Sequence, residues 1–243
     1  MGVSPSTKTN QSVLGIKVHA CKNVYYSALD LYKTGGGQII TLNAEMTMAA
    51  RLNPKLREVI ENAPLVIPDG AGIVWALSRQ GIQVIRTPGI DLAYRLLQHA
   101  EIHGWKTALI GSRPEVIQIL VRRLRKELPN LNLVFAAHGY QSVDKWTLLE
   151  KHLIRLNPDL ILVALGGPHQ EIWAMDMHNQ SSGLWMGVGG SFDIWAGIKK
   201  RAPRWMGAFN LEWVYRLIQE PSRWNRMLVL PTFAWKVIVN TRS

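Results

Sequence analysis

Short apolar runs rich in β-branched residues alternate with longer amphipathic runs along most of the chain. This alternation is typical of repeated βα units around a parallel sheet. The predicted strands are Leu14–Val18, Gln38–Leu42, Leu65–Ile67, Lys106–Ile110, Asn132–Ala136, Leu160–Leu165 and Leu184–Val188. The predicted helices are Val24–Lys33, Ala44–Leu52, Gly70–Leu77, Ile90–His103, Pro114–Glu127, Lys145–Leu156 and Gln170–Met177. The pattern therefore predicts an α/β fold with helices on both faces of a parallel sheet.

The pattern changes after Gly190 to a helical tail without strands, which begins near Arg201 and is broken at Pro221 and Pro231. We expect an α/β core over residues 1–194 and a helical appendage over residues 195–243.

The tail is the basic part of the chain. The whole sequence has 28 Lys and Arg against 17 Asp and Glu, a net charge of +11, and residues 195–243 carry nine basic and two acidic side chains and five of the ten tryptophans. Tryptophan with Lys and Arg is favoured in the headgroup layer of a membrane. A single-stranded nucleic acid and a solvated basic surface are the alternatives, but the tail shows no nucleic-acid-binding motif. We expect an anionic membrane surface as partner, and no nucleic acid.

The single cysteine, Cys21, has no partner for an internal disulfide, which fits a reducing compartment. The N-terminus lacks the apolar segment of a signal peptide, and the longest apolar stretch, Met227–Val239, is interrupted by Pro231 and Lys236. These features predict a cytoplasmic protein without a spanning helix.

Several familiar chemistries are excluded by motif spacing. In the glycine-rich segment that starts at Gly187, Phe192 stands where a dinucleotide-binding loop needs a third glycine or alanine. The sequence has no P-loop, H-E-x-x-H, G-x-S-x-G or D-x-D motif, and no Cys/His cluster with zinc spacing. We therefore expect no cofactor and no metal.

Polar residues follow the predicted strands where a parallel sheet binds its ligands. Asp69 lies between Pro68 and Gly70 and is a candidate base, although Asp before Gly is also a common turn. Thr41 and Asn43 end another strand, and Asn43 is equally a candidate helix cap. Arg86 either holds a phosphate or pairs with Asp91.

A strand runs into the loop Gly166-Gly167-Pro168 and then into a helix, so backbone amides there suit an anion. Gln170 and Glu171 are placed to bind a ribose or sugar hydroxyl, with helix capping as the alternative. His138 and His169 have no carboxylate partner at metal-ligand spacing and are interpreted as structural.

The tail carries Arg216, Arg223 and Arg226 around Pro221. Planar guanidinium groups suit phosphate oxygens. Glu220 is one helical turn from Arg216 and is a candidate partner for it.

These segments, taken in order, resemble the WecG/TagA/CpsF family of bacterial glycosyltransferases from about Gly15 to Arg226. Each match is weak alone, but seven in the same order are specific. The matching segments are Thr41–Asn43, Pro68–Gly70, Arg86–Asp91, Leu165–Glu171, Gly187–Asp193, Arg201–Pro203 and Glu212–Arg216, followed by Glu220, Pro221 and Arg223.

The resemblance implies a Rossmann-like α/β domain whose helical C-terminal appendage helps to complete the site at the membrane. It implies inverting, metal-independent transfer of N-acetylmannosamine, its uronic acid or another hexose from a UDP-sugar to a polyprenyl-diphosphate-linked sugar. Such an enzyme works on the cytoplasmic face of the membrane in cell-envelope or exopolysaccharide assembly. The resemblance also leaves a homo-oligomer open, because some members of that family form dimers or trimers.

The resemblance also implies roles for individual residues. Asp69 is the base, and Thr41 and Asn43 orient sugar or phosphate. Asp193 and the preceding glycines, Gly187 and Gly189, contact the nucleoside, and Gln170 and Glu171 bind the donor. The residues implied for diphosphate are Arg86, Arg216, Arg223 and Arg226. His169 departs from the Lys or Arg expected there. A non-catalytic nucleotide-sugar or anionic-lipid binding protein on the same scaffold is the alternative function.

Overall fold

A computed structural model describes residues 8–203, 205–206, 212–221 and 224–240. Within these residues the chain forms eight strands. They are β1 Lys8–Val13, β2 Ile16–Cys21, β3 Gly37–Leu42, β4 Leu65–Pro68, β5 Thr107–Gly111, β6 Leu133–Ala137, β7 Leu160–Ala164 and β8 Leu184–Gly187.

Eight helices of the described residues lie between the strands of the main sheet or directly before it, and four more follow β8. They are α1 Val24–Lys33, α2 Ala44–Ala50, α3 Pro54–Asn62, α4 Ala71–Arg79, α5 Gly89–His103, α6 Pro114–Glu127, α7 Val143–Leu156, α8 His169–His178, α9 Ser191–Trp195, α10 Glu212–Gln219, α11 Trp224–Met227 and α12 Val229–Asn240.

The main sheet has six parallel strands in the order β4-β3-β8-β7-β5-β6. Apolar clusters lie on both of its faces, and every residue of β4, β5, β7 and β8 is buried. Such strands read as continuous apolar runs because helices cover both sides. The predicted α/β, Rossmann-like class with C-terminal helices is confirmed.

The predicted strand Leu14–Val18 is wrong at its beginning. Val13 pairs with Ile16 in an antiparallel hairpin, so Leu14 and Gly15 form the turn between β1 and β2. Both turn residues have positive φ, 53° and 77°, as a two-residue hairpin loop requires. Leu14 is an unusual residue for that conformation, and its apolar side chain packs into the core, which explains why the pattern read as strand.

Two helical predictions also need correction. Helix α3 was missed, although Asn53 caps it and Pro54 occupies its first turn, which is a recognisable start signal. Pro231 does not break the tail, because it is the third residue of α12, where its missing N–H costs no helical hydrogen bond. The predicted break at Pro221 is confirmed, since α10 ends at Gln219.

The C-terminal helix α12 packs on the α/β part of the chain. Phe233 and Val237 are buried in the same apolar cluster as residues of β3, β4 and α2. Gly72 of α4 makes room for this contact, since a Cβ there would lie 3.3 Å from the Phe233 ring. In the part of the chain that the structure describes, no helix is long and apolar enough to cross a membrane.

The hairpin closes the outer edge of the sheet through His19. Its Nδ1 accepts a hydrogen bond of 2.8 Å from the backbone N–H of Val66 on the edge strand β4. A sheet edge presents unpaired backbone groups, and this side chain covers one of them. Burial, together with the nearby charges of Lys8 and Lys17, lowers the pKa of His19 to about 4.

The pKa of His19 predicts an acid-sensitive edge. The unfolded imidazole has a pKa near 6.5, so between about pH 6.5 and pH 4 the unfolded state binds more protons and stability falls as pH falls. His19→Asn retains an acceptor in place of Nδ1 and does not titrate. We expect chemical denaturation to show a smaller loss of stability for this variant than for the native chain over that window. Parallel pH profiles for the two proteins would contradict the assignment.

Candidate active site

A cavity of about 570 Å³ opens at the carboxyl ends of four adjacent strands, β4, β3, β8 and β7. Loops gather at this edge of a parallel sheet, and ligands bind there in most open α/β folds. Predicted site residues from all four strand ends line the cavity: Thr41, Asn43, Asp69, Gly167, Gln170, Glu171, Gly187 and Gly189.

Asp69 follows β4 directly and is held by the next loop. Its Oδ1 accepts a hydrogen bond of 2.8 Å from the backbone N–H of Gly89, at the start of α5. Gly89 is needed for this approach, because a Cβ there would lie 2.7 Å from the Thr41 methyl group. The β3 end, the β4 end and the α5 N-terminus are therefore packed around one carboxylate.

Arg86 lies behind the cavity wall and joins two of its parts. Its Nε donates to the backbone carbonyl of Asp69 at 2.9 Å, and its guanidinium forms an ion pair with Glu212 of α10. Asp91 pairs with Arg201 instead, through two hydrogen bonds. The interpretation that Arg86 pairs with Asp91 is therefore wrong.

Asn43 has the capping role that the sequence left open. Its side chain accepts a hydrogen bond of 2.9 Å from the backbone N–H of Met46 and caps α2. The same residue lines the cavity, and Gly70 approaches it so closely that a Cβ at position 70 would lie 3.0 Å from the Asn43 Cβ. Capping and a role toward a ligand are compatible here, because the cap fixes where the side chain stands.

Gln170 and Glu171 begin α8 and are buried, with 5% and 1% of their surfaces exposed. The Gln170 Oε1 accepts from the backbone N–H groups of Gly166 and Gly189, and its Nε2 donates to the Glu171 Oε1 at 2.7 Å. This pair joins the loop after β7 to the loop after β8. The sequence predicted that the backbone N–H of Gly166 binds an anion, but this N–H donates its hydrogen bond to the Gln170 side chain.

Glu171 is an unusual carboxyl group. Its Oε2 is buried without a hydrogen-bond partner among the described residues, and burial raises its pKa above the ordinary value of 4.5. Gly187 must be glycine beside it, since a Cβ would lie 2.9 Å from the Glu171 Oε1. A neutral carboxylic acid suits this position, because an ion without partners is costly to bury.

Some predicted residues lie elsewhere. Of those that the structure describes, Arg86, Gly166 and Asp193 are not among the residues that line the cavity. Asp193 accepts from the Ser112 hydroxyl at 3.4 Å and lies 3.7 Å from Arg113 and 4.0 Å from Lys199. Arg223 and the side chains of Arg216 and Arg226 lie outside the described residues.

Sequence reasoning missed a basic segment on the cavity wall. Lys199, Lys200 and Arg201 line the cavity, and Lys199 pairs with Glu220. The interpretation that Glu220 pairs with Arg216 depends on a side chain outside the described residues. The signal for this segment was the run of three cations just before Ala202-Pro203. Its chemistry suits the oxygens of a diphosphate.

The residues that the structure describes contain no group of three or more His, Cys, Asp or Glu side chains that could hold a metal ion. His138 accepts from the Tyr140 N–H, and His169 is exposed at the start of α8.

The cavity at the end of this Rossmann-like sheet thus places the Asp69 carboxylate near the cationic segment Lys199–Arg201, an arrangement typical of enzymes that act on anionic substrates. The model of the glycosyl transferase WecG/TagA/CpsF family matches residues 11–243. The chain belongs to this family and is a glycosyltransferase, which confirms the resemblance.

Two curated relatives are named N-acetylglucosaminyldiphosphoundecaprenol N-acetyl-beta-D-mannosaminyltransferase. The relative from Bacillus subtilis (strain 168) is 38% identical over 211 residues, which cover 86% of this chain and 81% of the relative. The relative from Staphylococcus aureus (strain MW2) is 35% identical over 201 residues, 82% of this chain and 78% of the relative.

The burial of Glu171 predicts a pH-dependent effect of Glu171→Gln. In the native chain a raised pKa means that the folded state binds more protons than the unfolded state above pH 4.5, so this group lowers stability as pH rises. Glutamine keeps the acceptor for Gln170 and cannot ionise. We expect the melting temperature of the variant, relative to the native chain, to rise between pH 5 and pH 8.

Glu150→Gln is a suitable control, because Glu150 also accepts a side-chain hydrogen bond but is half-buried. If the melting temperatures of Glu171→Gln and the native chain differ by the same amount at every pH, Glu171 is ionised in the folded protein.

Proposed function

We propose that this chain transfers N-acetylmannosamine from a UDP-sugar to N-acetylglucosamine carried on a polyprenyl diphosphate, with inversion and without a bound metal. The names of the relatives support the sugar and the acceptor. The motifs that resemble the family support UDP as the leaving group. The observation on which the proposal depends is Asp69, a carboxylate in the cavity fixed by the Gly89 N–H.

An inverting transfer is a single displacement, and it requires a base on the acceptor hydroxyl. Asp69 is the best candidate among the carboxylates of the cavity wall. Glu212 and Glu220 lie at the start of α10 and just beyond its end rather than at a strand end, and they pair with Arg86 and Lys199. Glu171 is buried with a raised pKa, which disfavours its ionised form. Glu45 also lines the cavity, but it lies in the first turn of α2 rather than at a strand end.

Departure of UDP places negative charge on the diphosphate. Lys200 lines the cavity, is exposed and makes no salt bridge within the described residues. Lys199 and Arg201 flank it, and their acidic partners hold them at the cavity. Preorganised cations of this kind stabilise a developing anion without reorganisation during the reaction. Arg216, Arg223 and Arg226 are proposed to add to them.

We further propose that residues 195–243 hold the enzyme on the cytoplasmic face of the membrane. Trp213, Trp224 and Trp235 of this segment are 43%, 59% and 62% exposed, whereas Phe233 is buried against the core. Tryptophan and basic side chains together favour the interface with anionic lipids. An enzyme attached there meets a lipid-linked acceptor without crossing the bilayer.

The test of the chemistry is Asp69→Asn. Asparagine keeps an oxygen for the Gly89 N–H but cannot take the proton, so turnover should fall by roughly 10²–10⁴-fold. UDP affinity, measured by calorimetry, should stay nearly the same. Release of UDP from UDP-N-acetylmannosamine in the presence of the lipid-diphosphate acceptor is the assay.

Asp176→Asn, on the exposed face of α8, is the matched control and should retain full turnover. Native turnover by Asp69→Asn would assign the base to another residue. Tight UDP binding by the native chain without any turnover would favour the non-catalytic alternative, and loss of activity on chelation would contradict the metal-free mechanism.

The membrane proposal predicts a specific effect of Trp224→Ser with Trp235→Ser. Both side chains are exposed, so the fold should persist, and affinity for vesicles of anionic phospholipid should fall at least about tenfold, since each large apolar side chain contributes roughly 1.5–3 kcal/mol when buried. Cosedimentation measures the change. Tyr140→Ser is the control, at an exposed aromatic residue outside the tail. Equal affinity of the double variant and the native chain would place the attachment elsewhere.

A further inference from the structure

The cavity has a polar side and an apolar side. The polar side contains Asp69, Thr41 and the basic segment at Lys199–Arg201. The apolar side is formed by α2 and the residues that follow it, and we call it the α2 wall: Met46, Met48, Ala49, Leu52 and Leu56. The polar side suits the hydrogen bonds and ion pairs of a sugar diphosphate, and the apolar side suits a hydrocarbon part of a ligand.

The α2 wall extends from the reacting end of the cavity to the protein surface. Asn43, the cap of α2, lies beside the Asp69-Gly70 turn. Nine residues later Leu52 is 87% exposed, which makes it the most exposed of the large apolar side chains that the structure describes. At 1.5 Å per residue the seven residues of α2 span roughly 10 Å, and Leu52 comes two residues after the end of the helix. Apolar residues of the α2 wall therefore lie both near the carboxylate region and at the protein surface.

The outer end of the wall has the surroundings of a membrane interface. Exposed cationic residues, Arg51, Lys55 and Arg57, lie around Leu52 in the sequence. Val229, the first residue of α12, lines the same cavity from the C-terminal segment that carries the exposed tryptophans. A hydrocarbon ligand that leaves the cavity past Leu52 meets cationic side chains that suit lipid headgroups.

We propose that the α2 wall is the binding site for the prenyl chain of the acceptor, in contact with the isoprene units nearest the diphosphate. This inference rests on the proposed function, because it takes a lipid-linked acceptor as given. Two of the five side chains are methionines, whose flexible thioethers adapt to an irregular hydrocarbon. The bound prenyl chain would orient the acceptor so that its sugar hydroxyl points toward Asp69 and its diphosphate points toward Lys199–Arg201.

The test compares two acceptors that differ only in the lipid. One is N-acetylglucosaminyl diphosphoundecaprenol. The other is the same sugar diphosphate with an ethyl group in place of the undecaprenyl chain. Met48→Gln and Leu52→Gln nearly preserve side-chain size and remove the apolar surface. For each variant we expect KM for the undecaprenyl acceptor to rise about tenfold or more, with kcat and the KM for the ethyl acceptor unchanged. Ile102→Gln, at an exposed isoleucine on α5, should change neither.

The outcomes separate this inference from the proposed function. If the native chain turns over neither acceptor, the proposed function fails, and the inference fails with it. If it turns over both with equal KM, or if the variants raise KM equally for both acceptors, only the α2 wall is wrong. If the variants melt at a lower temperature but keep the native preference for the undecaprenyl over the ethyl acceptor, the wall packs against the protein's own residues and does not bind the lipid.

A second measurement does not depend on turnover. An undecaprenyl diphosphate with a photoreactive group on its first isoprene unit should label the native protein within residues 44–56. Labelling confined to other segments would overturn the proposal.

Discussion

The guanidinium of Arg86 is the contact on which the geometry of the site depends. It holds the backbone carbonyl of Asp69 on one side and the carboxylate of Glu212 on the other. The Arg86 and Glu212 side chains are only 21% and 18% exposed, so removing either partner would leave a poorly solvated charge behind. The position of Asp69 is therefore coupled to the docking of α10, which comes 126 residues after Arg86 in the sequence.

This coupling gives the C-terminal segment a structural role besides the proposed attachment to the membrane. Arg201 binds Asp91 in the first turn of α5, and Lys199 binds Glu220 beyond the end of α10. Together with the Arg86–Glu212 pair, these contacts fix the segment against the cavity that its residues help to line. Each pair at the surface contributes little stability alone. Their effect is on geometry, because they keep Lys199 and Arg201 on the cavity wall.

The sequence predicted the parts of the fold that depend on local pattern. Buried strands such as β7 are recognisable because two covered faces require a continuous apolar run, and the strand ends brought Thr41, Asn43 and Asp69 to one cavity as expected. The hairpin turn at Leu14–Gly15 was not recognisable, because leucine rarely adopts positive φ. The partner of Arg86 was not recognisable either. Ion pairing between distant segments is decided by three-dimensional packing. Asp91 is the acidic residue nearest to Arg86 in the sequence, but it pairs with Arg201.

The same limit applies to Gln170 and Glu171. Polar residues after a glycine loop suggest ligand contact, but only the packing of α8 against β8 shows that both are buried and that Gln170 joins the loops after β7 and β8. The pair therefore fixes the backbone of two loops that line the cavity. The cavity thus has walls of different character: an inner one set by buried amide hydrogen bonds, a cationic one held by ion pairs, and an apolar one on α2. The two proposals made above depend on this arrangement, because the sugar, the diphosphate and the hydrocarbon chain of the proposed acceptor would each meet one of these walls.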